Sequence, residues 1–157
     1  MRLTSLAVIL QSASFFVTTF AVLTKRHVNE EDKGFNCDGR EIWHEEYSRV
    51  DKLQLTGQAT PMGLTLDNIY LNLLGNQAVD TTVTFGEREN GGRRFSELIT
   101  LWQKEDIYAG YFINSYILIT NRNDRVNAMM KRTTFYGNNH HAEPEPEGVY
   151  SMCEILI

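Results

Sequence analysis

The feature that most limits how this chain can fold is its pair of cysteines, Cys37 and Cys153, the only two in the sequence. They lie 116 residues apart, the second of them close to the end of the chain. In an oxidising compartment an isolated pair is expected to bond, and closing so long a loop stabilises a fold by roughly 4–5 kcal/mol. The alternative, two free buried thiols, fits a reducing cytosol. We predict a bridge that ties the first folded element to the last.

The compartment is indicated by the first residues of the chain. Met1-Arg2 is a short positive segment, residues 6–10 and 15–23 are largely apolar, and Thr19-Phe20-Ala21 offers small residues for cleavage. This pattern is typical of a secretory signal peptide. A membrane anchor is the alternative, but a bilayer span needs ~20 predominantly apolar residues, and polar residues at 11–14 interrupt the stretch. We therefore expect a secreted protein.

The sequence divides into three segments. We predict a signal peptide at 1–21, a loose polar arm at 22–34 and one folded domain at 35–157. Lys25-Arg26 is a dibasic pair that a kexin-type protease could cut, although many such pairs are merely solvated. Removing 21 of the 157 residues leaves 136, which is enough for one domain with a core of its own.

The charge of the chain argues against a general phosphate-binding surface. The formal net charge is −5, and loss of Arg2 with the leader makes the mature part −6, whereas nucleic-acid-binding proteins usually carry a basic excess. No cofactor is expected. His140-His141 could chelate a metal weakly, but two adjacent histidines without a third fixed ligand more often belong to a solvated loop. We therefore expect no metal site.

The pattern of apolar residues predicts an α+β fold. One helix is expected over 42–55, where apolar residues recur at close to helical spacing. Its buried side would carry Trp43, Tyr47 and Val50, and its outer side His44 and Glu45. Strand-like runs follow at 68–74, 79–85, 97–102, 107–120 and 126–136, with a closing strand at 149–153. The residues 121–124 are typical of a hairpin turn. One main helix packed on an antiparallel sheet is the expected arrangement.

A family resemblance becomes visible at the start of the predicted domain. Phe35-Asn36-Cys37, just past a leader and combined with a cysteine near the end, resembles the aromatic-x-Cys signature of powdery-mildew ribonuclease-like effectors, which are small secreted proteins of fungal plant pathogens. Three stretches also resemble the fungal guanyl-specific ribonucleases. Residues 37–42 are similar to their Cys-Gly-x-x-x-Tyr segment, 123–130 to their hairpin into the penultimate strand, and 150–154 to their closing Val-Glu-Cys segment.

The resemblance implies a fold, a role and a set of partners. The fold would be microbial-ribonuclease-like, with a helix packed on an antiparallel sheet and a terminal disulfide. The role would be that of a virulence effector acting in or around host cells. Its partner would be a host protein or host RNA, and a host immune receptor is a further candidate. Once the leader is cleaved, no membrane contact is expected.

Catalysis in those ribonucleases needs a base, an acid and a cation beside the phosphate. The family uses a His, a Glu, an Arg and a second His. By the resemblance, Met62 stands at the first His and Ile117 at the Arg, and only Glu97 matches. Arg132 stands at the second His, and a guanidinium cannot act as the acid because it keeps its proton near neutral pH. We predict a pseudo-ribonuclease with a degenerate site; the alternative is an active secreted guanyl-preferring ribonuclease.

RNA contact without cleavage is a separate hypothesis. The candidate RNA- or phosphate-binding residues are Arg93, Arg94, Arg125, Lys131 and Arg132. The aromatic residues at 102, 111 and 136 could stack on bases. The alternative, which the net charge favours, is that these are ordinary solvated charges and core aromatics. A protein-binding effector would instead use exposed loops at 86–94 and 138–148.

Overall fold

A computed structural model describes residues 28–56, 63–76, 84–85, 92–137 and 148–157. Several sequence predictions fall outside these residues: the signal peptide, Lys25-Arg26, Met62, most of the strand predicted at 79–85, and His140-His141. Among the helices within the described ranges, none has the length and apolar character needed to cross a membrane.

The described ranges contain eight strands and two α-helices. In chain order they are β1 (Gly34–Cys37), β2 (Arg40–Trp43), α1 (His44–Ser48), β3 (Lys52–Leu55), α2 (Leu66–Asn76), β4 (Arg94–Ile107), β5 (Gly110–Thr120), β6 (Val126–Gly137), β7 (Val149–Met152) and β8 (Glu154–Leu156). A short 3₁₀ turn, Glu30–Asp32, precedes them. Every strand pairs with its neighbours in the antiparallel sense. The predicted α+β class is therefore confirmed.

The strands form two sheets that a disulfide joins. The larger sheet has the order β3-β4-β5-β6-β7, and the smaller has the order β2-β1-β8. The chain passes from one sheet to the other at Cys153, whose backbone N–H donates to the Met129 carbonyl of β6 over 3.0 Å. The predicted bond between Cys37 and Cys153 is confirmed. It fastens β1 of the small sheet to the point where the chain leaves β7 of the large sheet and enters β8 of the small one.

The larger sheet buries apolar side chains on both of its faces. Alternate residues of β5 supply the two sides: Tyr116 and Leu118 on one, Ile117 and Ile119 on the other. The first side packs against the small sheet and α1, and the second packs against α2. A strand covered on both faces reads as a continuous apolar run, which is the sequence pattern of residues 116–119.

The main helix of the structure is α2, in a region where the sequence predicted a strand at 68–74. Its apolar stripe, at helical spacing, is Leu66, Ile69, Tyr70, Leu73 and Leu74. Thr65 caps its start: the hydroxyl oxygen accepts the Asn68 N–H over 3.2 Å, and the carbonyl accepts the Ile69 N–H over 3.0 Å. The strand prediction is wrong because it ignored this cap and the three-to-four-residue spacing.

The helix predicted over 42–55 is wrong for most of its length. Only the five residues of α1 are helical, and the flanking residues belong to β2 and β3. The reason lies in Asp38-Gly39, where φ is 54° and 90°. Positive φ at both positions is the type I′ turn that Asp-Gly favours, and it folds β1 and β2 into a hairpin. Ile42 is thereby paired with Phe35 instead of continuing into a helix.

The predicted burial within this segment is correct at Tyr47 and Glu45 and wrong at Trp43. Tyr47 is fully buried, as predicted, and Val50 is partly buried against the same core. Glu45 is exposed, also as predicted. Trp43, however, is 41% exposed. It lies across its cross-strand partner Gly34, where an added Cβ would stand 2.5 Å from the indole ring.

The end of the segment predicted as a loose arm packs against the start of β6. Lys33 is buried, and its ammonium group donates to Glu30 Oε1 over 2.5 Å and to the Val126 carbonyl over 2.7 Å. The Val126 N–H in turn donates to Glu30 Oε2 over 3.2 Å. A buried ammonium group needs such partners, so the packing of residues 30–33 differs from the expectation of a loose arm.

The long strands near the middle of the chain follow the sequence prediction more closely. The hairpin turn predicted at 121–124 is confirmed: the Asn121 side-chain oxygen accepts the backbone N–H groups of Asn123 and Arg125 over 2.9 and 3.0 Å. The run at 107–120, predicted as one strand, is instead interrupted at its start. Ile107 pairs with Gly110 across the two-residue turn that joins β4 to β5.

Two leucines of α2 provide a matched test of how the helix packs. Leu74 is 5% exposed and Leu71 is 44% exposed. Leu74→Ala should lower the free energy of unfolding by about 2–5 kcal/mol through a core cavity, whereas Leu71→Ala should change it by less than about 1 kcal/mol. Chemical denaturation of both variants measures the difference. Equal losses would show that α2 does not present this face to the sheet.

Tyr47 supports a prediction about alkaline pH. Its hydroxyl is buried and has no hydrogen-bond partner in the described part of the chain. Burial, together with the nearby Glu30 carboxylate, raises the pKa of Tyr47 above its ordinary value of 10.0. The unfolded chain therefore loses this proton first, and the free energy of unfolding should fall as the pH rises above about 10.

Tyr47→Phe should raise the stability at pH 7 by about 1 kcal/mol, because an unpaired hydroxyl leaves the core. It should also reduce the loss of stability above pH 10. Denaturation at pH 7 and at pH 10–11 measures both effects. Tyr108→Phe, at a fully exposed position, is the control. If the two variants had the same pH profile, the buried hydroxyl would not be responsible.

Candidate functional site

The candidate site is a cleft of about 260 Å³ on the face of the large sheet that also carries α2. It lies farther along β5 and β6 than the residues that α2 covers. The side chains that give it chemical character are Glu97, Trp102, Ser115, Arg132, Thr134 and Tyr136. Two positions from the resemblance, Glu97 and Arg132, are therefore brought together, although they stand 35 residues apart in the chain.

An ion pair forms the floor of this cleft. Arg132 Nη2 donates to Glu97 Oε1 over 2.6 Å, and Arg132 Nε donates to the Ser115 hydroxyl over 3.1 Å. The side chains of Arg132 and Glu97 are 31% and 19% exposed. A charge-assisted hydrogen bond at this depth holds both groups in a fixed orientation. The pair is therefore electrically balanced and still open to a ligand.

A bulge in β4 brings Trp102 to the same cleft. Glu97 pairs with Ile117, but the next paired residue is Trp102, opposite Ser115. β4 thus advances five residues while β5 advances two. Bulges re-aim the side chains that follow them, so Glu97 and Trp102 face the same side despite their odd separation.

The other two positions from the resemblance do not join the cleft. Ile117 is completely buried in the core beneath α2, so its side chain has no access to a ligand. Met62 lies outside the described residues. Sequence reasoning missed Ser115 and Thr134; the two-residue period of β5 and β6 was the signal, because it places them on the same face as Ile117 and Arg132.

The five candidate phosphate-binding residues do not form one basic patch. Lys131 and Arg132 are neighbours on a strand, so they face opposite sides of the sheet. Lys131 forms an ion pair with Asp38. Arg93 and Arg94 lie near the start of β4, where their partners are acidic residues: Asp67 with Arg93 at 2.8 Å, and Asp124 with Arg94. Arg125 is exposed in the β5–β6 turn.

Aromatic side chains extend from the cleft toward the β4–β5 turn. Trp102 is 54% exposed. The rings of Tyr111 and Tyr136 stack at 5.2 Å with an angle of 14° between their planes, and Lys104 lies 4.5 Å over the Tyr111 ring. Lys104 is also paired with Asp106 at 2.7 Å. This half of the sheet is therefore aromatic and close to neutral.

The histidine that the structure describes in α1 belongs to another part of the molecule. The His44 ring makes an edge contact with Tyr47 at 5.3 Å between ring centres. Tyr47 belongs to the core on the side opposite α2. Within the described ranges, no group of three or more His, Cys, Asp or Glu side chains could hold a metal ion.

Comparison with known proteins identified no relative of this chain. No family model, no curated protein sequence and no solved structure matches this chain.

The strength of the ion pair in the cleft can be tested with a double-mutant cycle. Glu97→Gln, Arg132→Met and the double variant should give a coupling energy of about 1–2 kcal/mol, because both groups are largely shielded from water. The cycle Asp38→Asn with Lys131→Met should give less than about 1 kcal/mol, since Asp38 is 66% exposed. Urea denaturation measures both cycles. Equal coupling energies would show that the cleft pair is an ordinary surface contact.

Proposed function

We propose that this protein is a secreted fungal virulence effector with a catalytically inactive ribonuclease-like fold, acting by binding in or around host cells. The leader-like first residues, the Phe35-Asn36-Cys37 triplet and the terminal bridge support this proposal through the family resemblance. The observation that carries it is the contact between Arg132 and Glu97. It joins two of the three candidate catalytic positions that the structure describes, and the third, Ile117, is buried in the core.

The chemistry of this contact favours binding over catalysis. Cleavage of RNA through its 2′-hydroxyl requires a group that releases a proton to the leaving oxygen. Arg132 cannot release one near pH 7, and Glu97 is held as its counter-ion. Ile117, at the position of the family arginine, lies in the core and offers no positive charge. These three side chains together support a binding role.

A host protein is the partner that the charges favour. Four of the five basic candidates are already paired with carboxylates of the chain itself: Arg93, Arg94, Lys131 and Arg132. Each such pair reduces the positive charge available to phosphates, which supply most of the affinity for nucleic acid. Large apolar side chains are exposed near the β4–β5 turn, namely Ile107, Tyr108 and Phe135. Exposed apolar patches commonly mark protein-binding surfaces.

Host RNA is the second candidate partner, and its support comes from the β5–β6 turn. Arg122 and Arg125 are exposed there, beside Arg94 of β4. Asp124 lies among them and offsets part of their charge. This arrangement suits weak contact with phosphates.

The secreted protein should not cleave single-stranded RNA, and it should retain it weakly at most. Incubation with a guanosine-containing oligonucleotide, followed by gel analysis, tests cleavage. Filter binding at 50 and 500 mM salt tests retention, which should fall steeply with salt because phosphate contacts release counter-ions. Arg125→Gln should weaken any retention, whereas Arg49→Gln, an exposed position after α1, should not.

Two results would contradict this proposal. Cleavage after guanosine that disappears in Glu97→Gln would establish the active ribonuclease instead. Tight retention of RNA that persists at 500 mM salt would make RNA, and not a protein, the principal partner.

A further inference from the structure

The cleft at Glu97 and Arg132 has the size of a single ring. Its volume of about 260 Å³ is below the ~300–1,000 Å³ typical of pockets that enclose a whole drug-sized ligand. It is also a shallow cleft on a sheet face, with Trp102 largely exposed at its border. Such a site accommodates one ring of a longer molecule whose other parts remain in solvent.

The polar atoms of the cleft present an acceptor beside a donor. One oxygen of Glu97 is engaged by Arg132, and the other, Oε2, accepts no hydrogen bond in the described part of the chain. Arg132 uses Nε for Ser115 and Nη2 for Glu97, and its Nη1 makes no hydrogen bond to the described residues. A carboxylate only accepts and a guanidinium only donates, whereas a hydroxyl does both. Two neighbouring hydroxyls of one ring therefore match this pair of atoms.

Trp102 supplies the apolar part of the site. Its indole is exposed and faces the same side of the sheet as Ser115, with which it is paired. Tyr136 also lines the cleft and is held by stacking on Tyr111. A pyranose whose hydroxyls are equatorial carries its C–H groups on the two ring faces. Such a face packs on an aromatic ring as other apolar surfaces do.

The charge of the site favours a neutral ligand over an anionic one. The Glu97–Arg132 pair cancels its own charge, and Lys104, at the same end of the sheet, is paired with Asp106. A phosphate placed on Arg132 would lie next to the Glu97 carboxylate and be repelled by it. A neutral polyhydroxylated ring uses the acceptor and the donor without this repulsion.

We propose that this cleft binds one pyranose unit of a neutral, β-linked oligosaccharide with equatorial hydroxyls. The ring packs on Trp102, one hydroxyl donates to Glu97 Oε2, and its neighbour accepts from Arg132 Nη1. This binding activity goes beyond the proposed function. It uses the same Glu97–Arg132 pair, but it requires neither a role as an effector nor the absence of ribonuclease activity.

The test follows the fluorescence of Trp102 during titration with cellohexaose, xylohexaose and chitohexaose. The chain has two tryptophans, so a Trp43→Phe background leaves Trp102 as the single reporter. At least one of the three sugars should shift its emission at millimolar concentration or below. The affinity should change less than twofold between 50 and 500 mM salt, since no phosphate or other ionic contact is involved.

Variants locate the site. Calorimetric titration of the otherwise unchanged protein should show that Trp102→Ala weakens binding at least tenfold and that Glu97→Gln weakens it several-fold. Trp43→Ala, at a similarly exposed tryptophan on the small sheet, should bind as the unchanged protein does. Trp102 is exposed, so its replacement should preserve the thermal unfolding temperature, and Glu97→Gln nearly retains the shape of the side chain.

Three results would overturn the proposal. One is the absence of binding by all three sugars, and another is equal weakening in Trp43→Ala and Trp102→Ala. The third is a change in Trp102 emission that single-stranded oligouridylate produces at a lower concentration than any of the sugars and with a steep salt dependence, which would assign the cleft to RNA. The proposed lack of ribonuclease activity is measured separately, so either idea can fail without the other.

Discussion

The disulfide between Cys37 and Cys153 is the contact on which both sheets depend. Both cysteines are buried in the core that includes Met129 of the large sheet and Phe35 of the small one. The bond therefore connects the two sheets through their shared interior. Because β8 pairs with β1 immediately beside it, the covalent bond and the strand ladder enforce the same arrangement. A loop of 116 residues is thereby closed at its base.

The existence of the cleft follows from a difference in length between strands and helix. β4, β5 and β6 contain 14, 11 and 12 residues, which at ~3.3 Å per residue correspond to roughly 36–46 Å. α2 contains 11 residues, or roughly 16 Å at 1.5 Å per residue. The helix therefore covers less than half of the strands it packs on. Beyond the helix, the same face of the sheet carries polar residues in place of apolar ones. Along β6, Arg132 follows Met130 on this face, and along β5, Ser115 precedes Ile117. The polar site therefore begins where the apolar core ends.

The sequence was most informative where one pattern determines one structure. The alternation and turn residues around 121–124 predict the β5–β6 hairpin, and the isolated cysteines predict the bridge. The segment at 42–55 was ambiguous, because the spacing of Trp43 and Tyr47 fits a helix while Leu53 and Leu55 fit a strand. The Asp-Gly pair at 38–39 decides between them by nucleating a hairpin just upstream. For α2, the helical spacing of the apolar residues and the Thr65 cap were both present in the sequence, but the prediction of a strand did not take them into account.

The candidate site was less accessible to sequence reasoning than the fold. The family resemblance identified Glu97 and Arg132 as candidate site residues, and their side chains are in contact in the structure. The alternation along β5 places Ser115 on the same face as Ile117, but its contact with Arg132 depends on the register between β5 and β6. Trp102 reaches the cleft only through the bulge in β4, and a sequence pattern does not show where a bulge lies. Register and bulges arise from many weak contacts along whole strands, and these contacts are not visible in any single motif.

The way the disulfide closes the chain also determines how the molecule would respond to mechanical load. A force applied between Gly34 and Ile157 acts along a path that the Cys37–Cys153 bond shortens. Only the few residues outside the bond, chiefly the β1–β8 ladder, would be pulled apart. The residues between the cysteines, which include α2 and strands β2 to β7, would experience no tension. The protein would therefore extend by a small fraction of its contour length while its cleft kept its shape.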